Sequence, residues 1–187
     1  FQNSSLLAGA VDTNLIKFQK KLPQNIDVKA VNAGLEYSFN RTDYILNPRK
    51  GSLLNLKTIL GIKNIKPNND ILNIKEAGFN YASLYDSIKS KTYQVRLQST
   101  LAHFIKTGKT STLKLGSDAG LYYSPSIFRN ELFQIGGYKL LRGFDEESIY
   151  ANRYAVFTME FRQLLSLNSY LFAFTDAALV QNKWQQQ

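Results

Sequence analysis

Hydrophobic and polar residues alternate with a period of two along six segments of the chain. In segment 27–40, odd positions carry apolar side chains such as Val31 and Leu35, whereas even positions carry polar or small ones such as Glu36. This period is the signature of a β-strand with two unlike faces. The same alternation predicts strands within 52–63, 90–105, 112–123, 155–162 and 171–179. A seventh strand within 1–11 is less well supported, because alternation there is poor.

The connections between these predicted strands alternate between short and long. Short connections are expected near Pro48 and at 106–109 and 165–168, and long ones before Asp27 and at 65–89 and 124–150. Outer-membrane β-barrels have this arrangement, with short periplasmic turns and long outer loops. The predicted strands are about 12–15 residues long, longer than the roughly 9–11 residues that cross a tilted bilayer.

Charged residues lie on the strand faces opposite the aliphatic rows. They are Glu36, Lys57, Arg96, Lys114, Asp118, Glu160, Arg162 and Asp176. A soluble sandwich or ligand-binding barrel would turn these charges to solvent, whereas a membrane barrel would turn them into a wet lumen. Periodicity alone allows both arrangements. Strand length and the alternating connections favour the membrane barrel.

The long connection at 124–150 is unusually apolar. From Ile127 to Glu147 it reads IFRNELFQIGGYKLLRGFDEE, a composition unlike that of a disordered linker. We expect it to fold back and bury its large apolar side chains, which are Phe128, Leu132, Phe133, Ile135, Tyr138, Leu140, Leu141 and Phe144. Because an unpaired buried charge is costly, Arg142 within this segment should meet acidic partners.

The motif LRGF at Leu141–Phe144, preceded by FQIGGYK, resembles the long extracellular loop of the outer-membrane surface-antigen barrel superfamily. That superfamily includes BamA-like and TamA-like assembly factors and the two-partner secretion transporters. The resemblance implies that the loop tip folds into the barrel lumen. It also implies that Arg142 is held there by two acids, Glu160 and Asp176, on later strands.

Further residues match the superfamily pattern. Phe174 precedes Asp176 as in the Phe-x-Asp-x-Gly-like motif, although Ala178 stands in place of its glycine. The stretch from Asn47 to Gly51, which contains Pro48, is similar to the family's P-x-x-G turn. Within the loop, Gly136, Gly137 and Gly143 are expected to support a sharp reversal, with Phe144 packed near Phe174.

The resemblance implies an all-β, antiparallel transmembrane β-barrel, of which this chain is part; complete members have about sixteen strands. Residues 1–187 are then interpreted as a partial C-terminal barrel domain with its lumen-folded loop at 124–150. Both ends of the chain look cut from a longer protein, and the POTRA domains of the family are absent from the sequence.

The function that the resemblance implies is non-enzymatic assembly and insertion of proteins in a Gram-negative outer membrane. The expected partners are the outer-membrane bilayer and unfolded outer-membrane protein clients, with accessory lipoproteins or periplasmic chaperones. A two-partner secretion or TamA-like translocation pore is the main alternative. A passive porin and a soluble ligand-binding barrel are the other classes left open.

Composition removes several classes of function. The net charge is +9, but the basic residues are scattered rather than clustered, so nucleic acid is not an expected partner. The chain has no cysteine, which excludes disulfides and thiolate metal sites. His103 is the single histidine and lies on the apolar face, where an interfacial position is expected. We therefore predict no catalytic residue, no metal site and no cofactor.

Overall fold

The computed structural model describes residues 2–7, 9, 11–86, 88–166 and 169–183. Seven strands form one antiparallel sheet in the order β1-β2-β3-β4-β5-β8-β9. Each strand pairs with the next one along the chain, except that β5 pairs with β8 because the segment between them leaves the sheet. The sheet strands are β1 (Gln2–Leu6), β2 (Asp27–Thr42), β3 (Gly51–Lys66), β4 (Lys91–Lys106), β5 (Ser111–Tyr123), β8 (Arg153–Ser166) and β9 (Ser169–Gln181).

The predicted all-β antiparallel fold is confirmed, and all six predicted strands are present. The uncertain first strand is β1. Across the described ranges β1 and β9 do not pair with each other, so the sheet is open and fits part of a barrel. Strands β2, β3 and β4 have 16 residues each, slightly more than expected. Of the predicted 165–168 turn, residues 167–168 lie outside the described residues.

Strand register keeps the apolar and polar rows on separate faces. Val31 lies opposite Ile62, which lies opposite Tyr93, and all three are exposed. Glu36 lies opposite Lys57 on the other face, and loop 124–150 packs on that polar face. On the apolar face of β2, the side chain of Leu35 is 83% exposed. This pattern is the inverse of a soluble sandwich and matches a barrel wall with its apolar side turned to lipid.

The turn at Pro48 is tightly closed. Gly51 has φ +112°, and a Cβ there would come within 2.0 Å of the carbonyl oxygen of Arg41, so only glycine fits. The Asp43 carboxylate accepts hydrogen bonds from the backbone N–H groups of Arg49 (2.8 Å) and Lys50 (3.0 Å). The Arg49 guanidinium donates to the carbonyl of Gly108 at 2.9 Å, which joins this turn to the next short one.

The two long connections at the opposite rim are more ordered than their polar sequences predict. They contain helices α1 (Thr13–Gln19) and α2 (Asn69–Leu72) and a 3-10 helix at Tyr81–Tyr85. Ile16, Ile71 and Tyr81 form a small core between them. These segments are too short to show a helical period in the sequence. Within the described residues, no helix is long and apolar enough to cross a membrane.

Candidate functional site

Loop 124–150 is a folded ribbon rather than an irregular connection. Its short strands β6 (Phe133–Ile135) and β7 (Ile149–Ala151) pair with each other. Phe133 and Ile135 bury against Tyr122 on the polar face of the sheet. The ribbon reverses at Gly137, where φ is +96° and a Cβ would strike the Glu146 carboxylate. The backbone N–H of Leu141 donates to the carbonyl of Gly137 at 3.2 Å, which closes the reversal. Arg142 is the next residue.

The structure brings Arg142, Glu160 and Asp176 together, and we call this group with Phe174 the inner anchor. Nε and Nη2 of Arg142 donate to the two oxygens of Asp176 at 2.9 and 2.8 Å. Nη1 donates to Glu160 at 2.7 Å, and the Arg142 backbone N–H adds a 3.1 Å bond to Asp176. The guanidinium carbon lies 3.6 Å from the centre of the Phe174 ring. Planar guanidinium suits this bidentate and stacked arrangement.

Neighbouring side chains hold the two acids of the inner anchor in place. Thr158 donates to Asp176 at 2.9 Å, and Arg162 Nε donates to Glu160 at 2.5 Å. The side chains of Glu160 and Asp176 are only 5% and 3% exposed. Hydrogen bonding to Asp176 raises the pKa of Arg142 against the opposing effect of burial. The arginine therefore stays charged beside the two acids.

A second charged cluster, which we call the outer anchor, joins the start of the loop to the sheet. It consists of Glu131 in the loop and Lys63, Arg96 and Tyr122 on the wall. Lys63 Nζ lies 2.7 and 2.8 Å from the two Glu131 oxygens, and the Tyr122 hydroxyl donates to Glu131 at 2.7 Å. Arg96 donates to the Glu131 backbone carbonyl at 2.6 Å. Lys63 and Glu131 are buried, at 0% and 2% side-chain exposure.

Sequence reasoning missed the outer anchor. Arg96 was recognised as a polar-face charge, but Glu131 had no assigned role. A signal was nevertheless present, because Glu131 is the one acid between the buried residues Phe128 and Leu132. A charge inside a run of buried side chains requires a partner, as the same reasoning required for Arg142.

Some predicted details of the loop are wrong. Tyr138 and Phe144 are 71% and 55% exposed rather than buried. The Arg142 guanidinium stacks on the Phe174 ring, and packing of Phe144 near that ring stays a prediction. Phe128, Leu132, Phe133, Ile135 and Leu141 are buried as predicted. His103 lies on the apolar face and contacts Ser52 at 2.7 Å.

Long antiparallel strands, an exposed apolar face and a polar face covered by an ion-paired loop define the wall of a transmembrane β-barrel. The sequence matches the Omp85 superfamily domain over residues 3–187, and the chain belongs to that superfamily. Omp85 proteins are outer-membrane proteins that insert or translocate unfolded protein substrates, and they are not enzymes. No curated protein matches the sequence.

Proposed function

We propose that this chain is the barrel portion of a BamA-like factor that assembles and inserts proteins in a bacterial outer membrane. We also propose that its loop is locked in the lumen by Arg142 against Glu160 and Asp176. The observation that supports this proposal is that the loop is held to the polar face at two charged clusters, with Glu131 and Lys63 forming the second.

Loop attachment favours insertion at the wall over export through the lumen. Export of a polypeptide would require the loop to leave the polar face, which separates the Arg142–Asp176 and Glu131–Lys63 pairs. Breaking a buried ion pair by removing one partner typically costs about 3–5 kcal/mol. A factor that works at the edge of its wall keeps both pairs intact. A passive porin would need the space that the loop fills.

The proposed domain organisation follows from this role. Residues 1–187 supply the wall and the lumenal loop at 124–150, while periplasmic POTRA domains belong to other parts of the intact protein. The proposed partners are unfolded outer-membrane protein clients, the bilayer, and accessory lipoproteins or periplasmic chaperones. The proposed role requires no cofactor, metal or catalytic residue.

Depletion of the intact protein separates assembly from secretion. An assembly factor should cause a general loss of barrel proteins from the outer membrane, measured by quantitative proteomics of membrane fractions. Loss of one exported partner, with normal amounts of other barrels, would instead identify a secretion pore and overturn the proposal. Unchanged barrels and secreted proteins with altered solute uptake would point to a porin.

The loop lock is tested by Arg142→Ala in the intact protein. The change leaves Asp176 and Glu160 without their shared cation, so we expect a loosened loop and reduced client assembly. Lys139→Ala is a matched control, because it removes an exposed cation of the same loop whose aromatic contact is Tyr138 within the loop itself. Normal assembly and normal loop protection in Arg142→Ala would contradict the lock.

A further inference from the structure

Three lysines and an asparagine cluster on the lipid-facing side of the sheet. Lys29 on β2 lies opposite Asn64 on β3, which in turn lies opposite Lys91 on β4. Lys66 follows Asn64 by two residues and therefore points to the same face. All four side chains are exposed. We call these four residues the basic rim.

The basic rim lies where the apolar band ends. Val31, Ile62 and Tyr93 are the last members of their apolar rows, and each is two residues from a basic-rim residue on its own strand. These strand ends lead into the long connections, which mark the outer side of outer-membrane barrels. The lysines are therefore level with the headgroups of the outer leaflet, and their aliphatic stems extend along the sheet.

A groove accompanies the basic rim. It has a volume of about 830 Å³ and is lined by Lys29, Asn64 and Lys91 together with Val31 and Ile62. The acid Asp27 lies opposite Lys66 in the ladder, and its carboxylate accepts a 2.9 Å hydrogen bond from Asn68. Positive charge at the top of an apolar groove matches a lipid with an anionic headgroup and acyl chains.

We propose that the basic rim binds the phosphate-bearing headgroup of an outer-leaflet lipid, with an acyl chain over Val31 and Ile62. Lysine is suited to phosphate as a compact charge with three donors. Asn64 adds an amide donor between Lys29 and Lys91. This inference rests on the outer-membrane setting of the Omp85 superfamily rather than on the assembly role, so either can fail without the other.

The test uses the intact protein reconstituted in phosphatidylcholine nanodiscs that contain a bisphosphorylated glycolipid of the lipid A type. Bound glycolipid is counted by native mass spectrometry for the wild type and for Lys29→Gln/Lys66→Gln/Lys91→Gln. Each lysine near an anionic surface changes affinity by about fivefold, so we expect roughly a 100-fold loss in the triple variant.

A second triple variant, Lys50→Gln/Lys106→Gln/Lys109→Gln, is the matched control. It removes the same charge at the opposite rim and should retain the wild-type amount of bound glycolipid. A dephosphorylated glycolipid should bind the wild type as poorly as the phosphorylated lipid binds the basic-rim variant. Free pyrophosphate should compete weakly, since it lacks the acyl chain.

Three results would overturn the proposal: equal binding by the basic-rim variant, an equal loss in the opposite-rim control, or equal binding of dephosphorylated lipid. If the triple variant fails to fold, single Lys91→Gln and Lys91→Arg variants replace it. The glutamine should lose bound lipid by about fivefold, and the arginine should retain it. Equal binding by these two variants would also overturn the proposal.

Discussion

The inner and outer anchors attach the same loop to the sheet, but the loop carries opposite charges at the two places. At the outer anchor, the loop contributes the acid Glu131 and the wall contributes the cations Lys63 and Arg96. At the inner anchor, the loop contributes the cation Arg142 and the wall contributes acids such as Glu160. A loop shifted along the polar face of the sheet would move like charges toward each other, which is unfavourable at low dielectric. The opposite arrangements of charge at the two anchors together specify one position of the loop on the sheet.

The anchors also differ in burial. Lys63 and Glu131 are 0% and 2% exposed, whereas Arg142 is 17% exposed. Water and the second acid can therefore partly replace a lost partner at the inner anchor, but not at the outer one. The outer anchor therefore belongs to the buried core of the loop, while the inner anchor is more accessible to water.

The largest effect is expected for Glu131→Gln in the intact protein. Lys63 then remains fully buried without an opposite charge, so the free energy of unfolding should fall by about 3–5 kcal/mol. Urea unfolding in detergent micelles, followed by tryptophan fluorescence and gel mobility, measures it.

The control for Glu131→Gln is the double variant Lys63→Met/Glu131→Leu, which removes both charges. It should unfold at a higher urea concentration than the single variant, because no unpaired charge is left buried. A double variant that is less stable than Glu131→Gln would show that packing rather than charge dominates at this anchor.

A smaller effect is expected for Asp176→Asn at the inner anchor. Arg142 retains Glu160, so the loss should be about 1.5–3 kcal/mol, as for a hydrogen bond to a charged group. Since the chain has no native cysteine, a thiol placed at the buried loop position Leu141, which is 4% exposed, reports loop release. Maleimide labelling of Leu141→Cys should become faster in Asp176→Asn. Asp118→Asn, which changes another polar-face acid bonded to Thr100, should leave the labelling rate unchanged.

Arg142→Lys separates charge from shape at the inner anchor. Lysine retains the positive charge but loses the planar fork that binds both oxygens of Asp176, so we expect a cost of about 1 kcal/mol. The labelling rate of Leu141→Cys should lie between those measured in the wild-type and Arg142→Ala backgrounds. A rate equal to that of Arg142→Ala would mean that guanidinium geometry carries the whole interaction.

The smallest effect is expected away from both anchors, at the Pro48 turn. Partial burial opposes ionisation of Asp43, but hydrogen bonds from the backbone N–H groups of Lys50 and Arg49 lower its pKa overall. A lowered folded-state pKa stabilises the protein above the unfolded pKa of about 3.9, and this contribution disappears as pH falls through the folded value. Asp43→Asn should therefore lower stability slightly at pH 7, and the difference from the wild type should shrink as pH falls through the folded-state pKa, which urea unfolding at each pH measures.

Sequence reasoning succeeded for the strands, because the two-residue alternation of apolar and polar side chains is enough to predict them. Alternation places Leu35 and Glu36 on opposite faces whichever solvent each face meets, so strands and faces were predictable. The pair Arg142 and Asp176 lies 34 residues apart, and only the family resemblance brought them together before the structure was known.

The missed features depend on long-range packing. Glu131 and Lys63 are 68 residues apart and belong to no recognised motif. Helix α1 has only seven residues, so it shows too few turns for a helical pattern. Phe144 was predicted to be buried from its hydrophobicity alone, but it is 55% exposed. The Phe174 ring instead carries a stacked guanidinium, that of Arg142.

The loop contacts five strands of one sheet, since Lys63, Arg96 and Tyr122 lie on β3, β4 and β5 while Glu160 and Asp176 lie on β8 and β9. By binding all five strands, the loop fixes their positions relative to one another. Strands β3 to β9 cannot separate from one another unless these ion pairs and hydrogen bonds break first. If the wall of the intact protein opens sideways, we expect the opening outside this arc of strands.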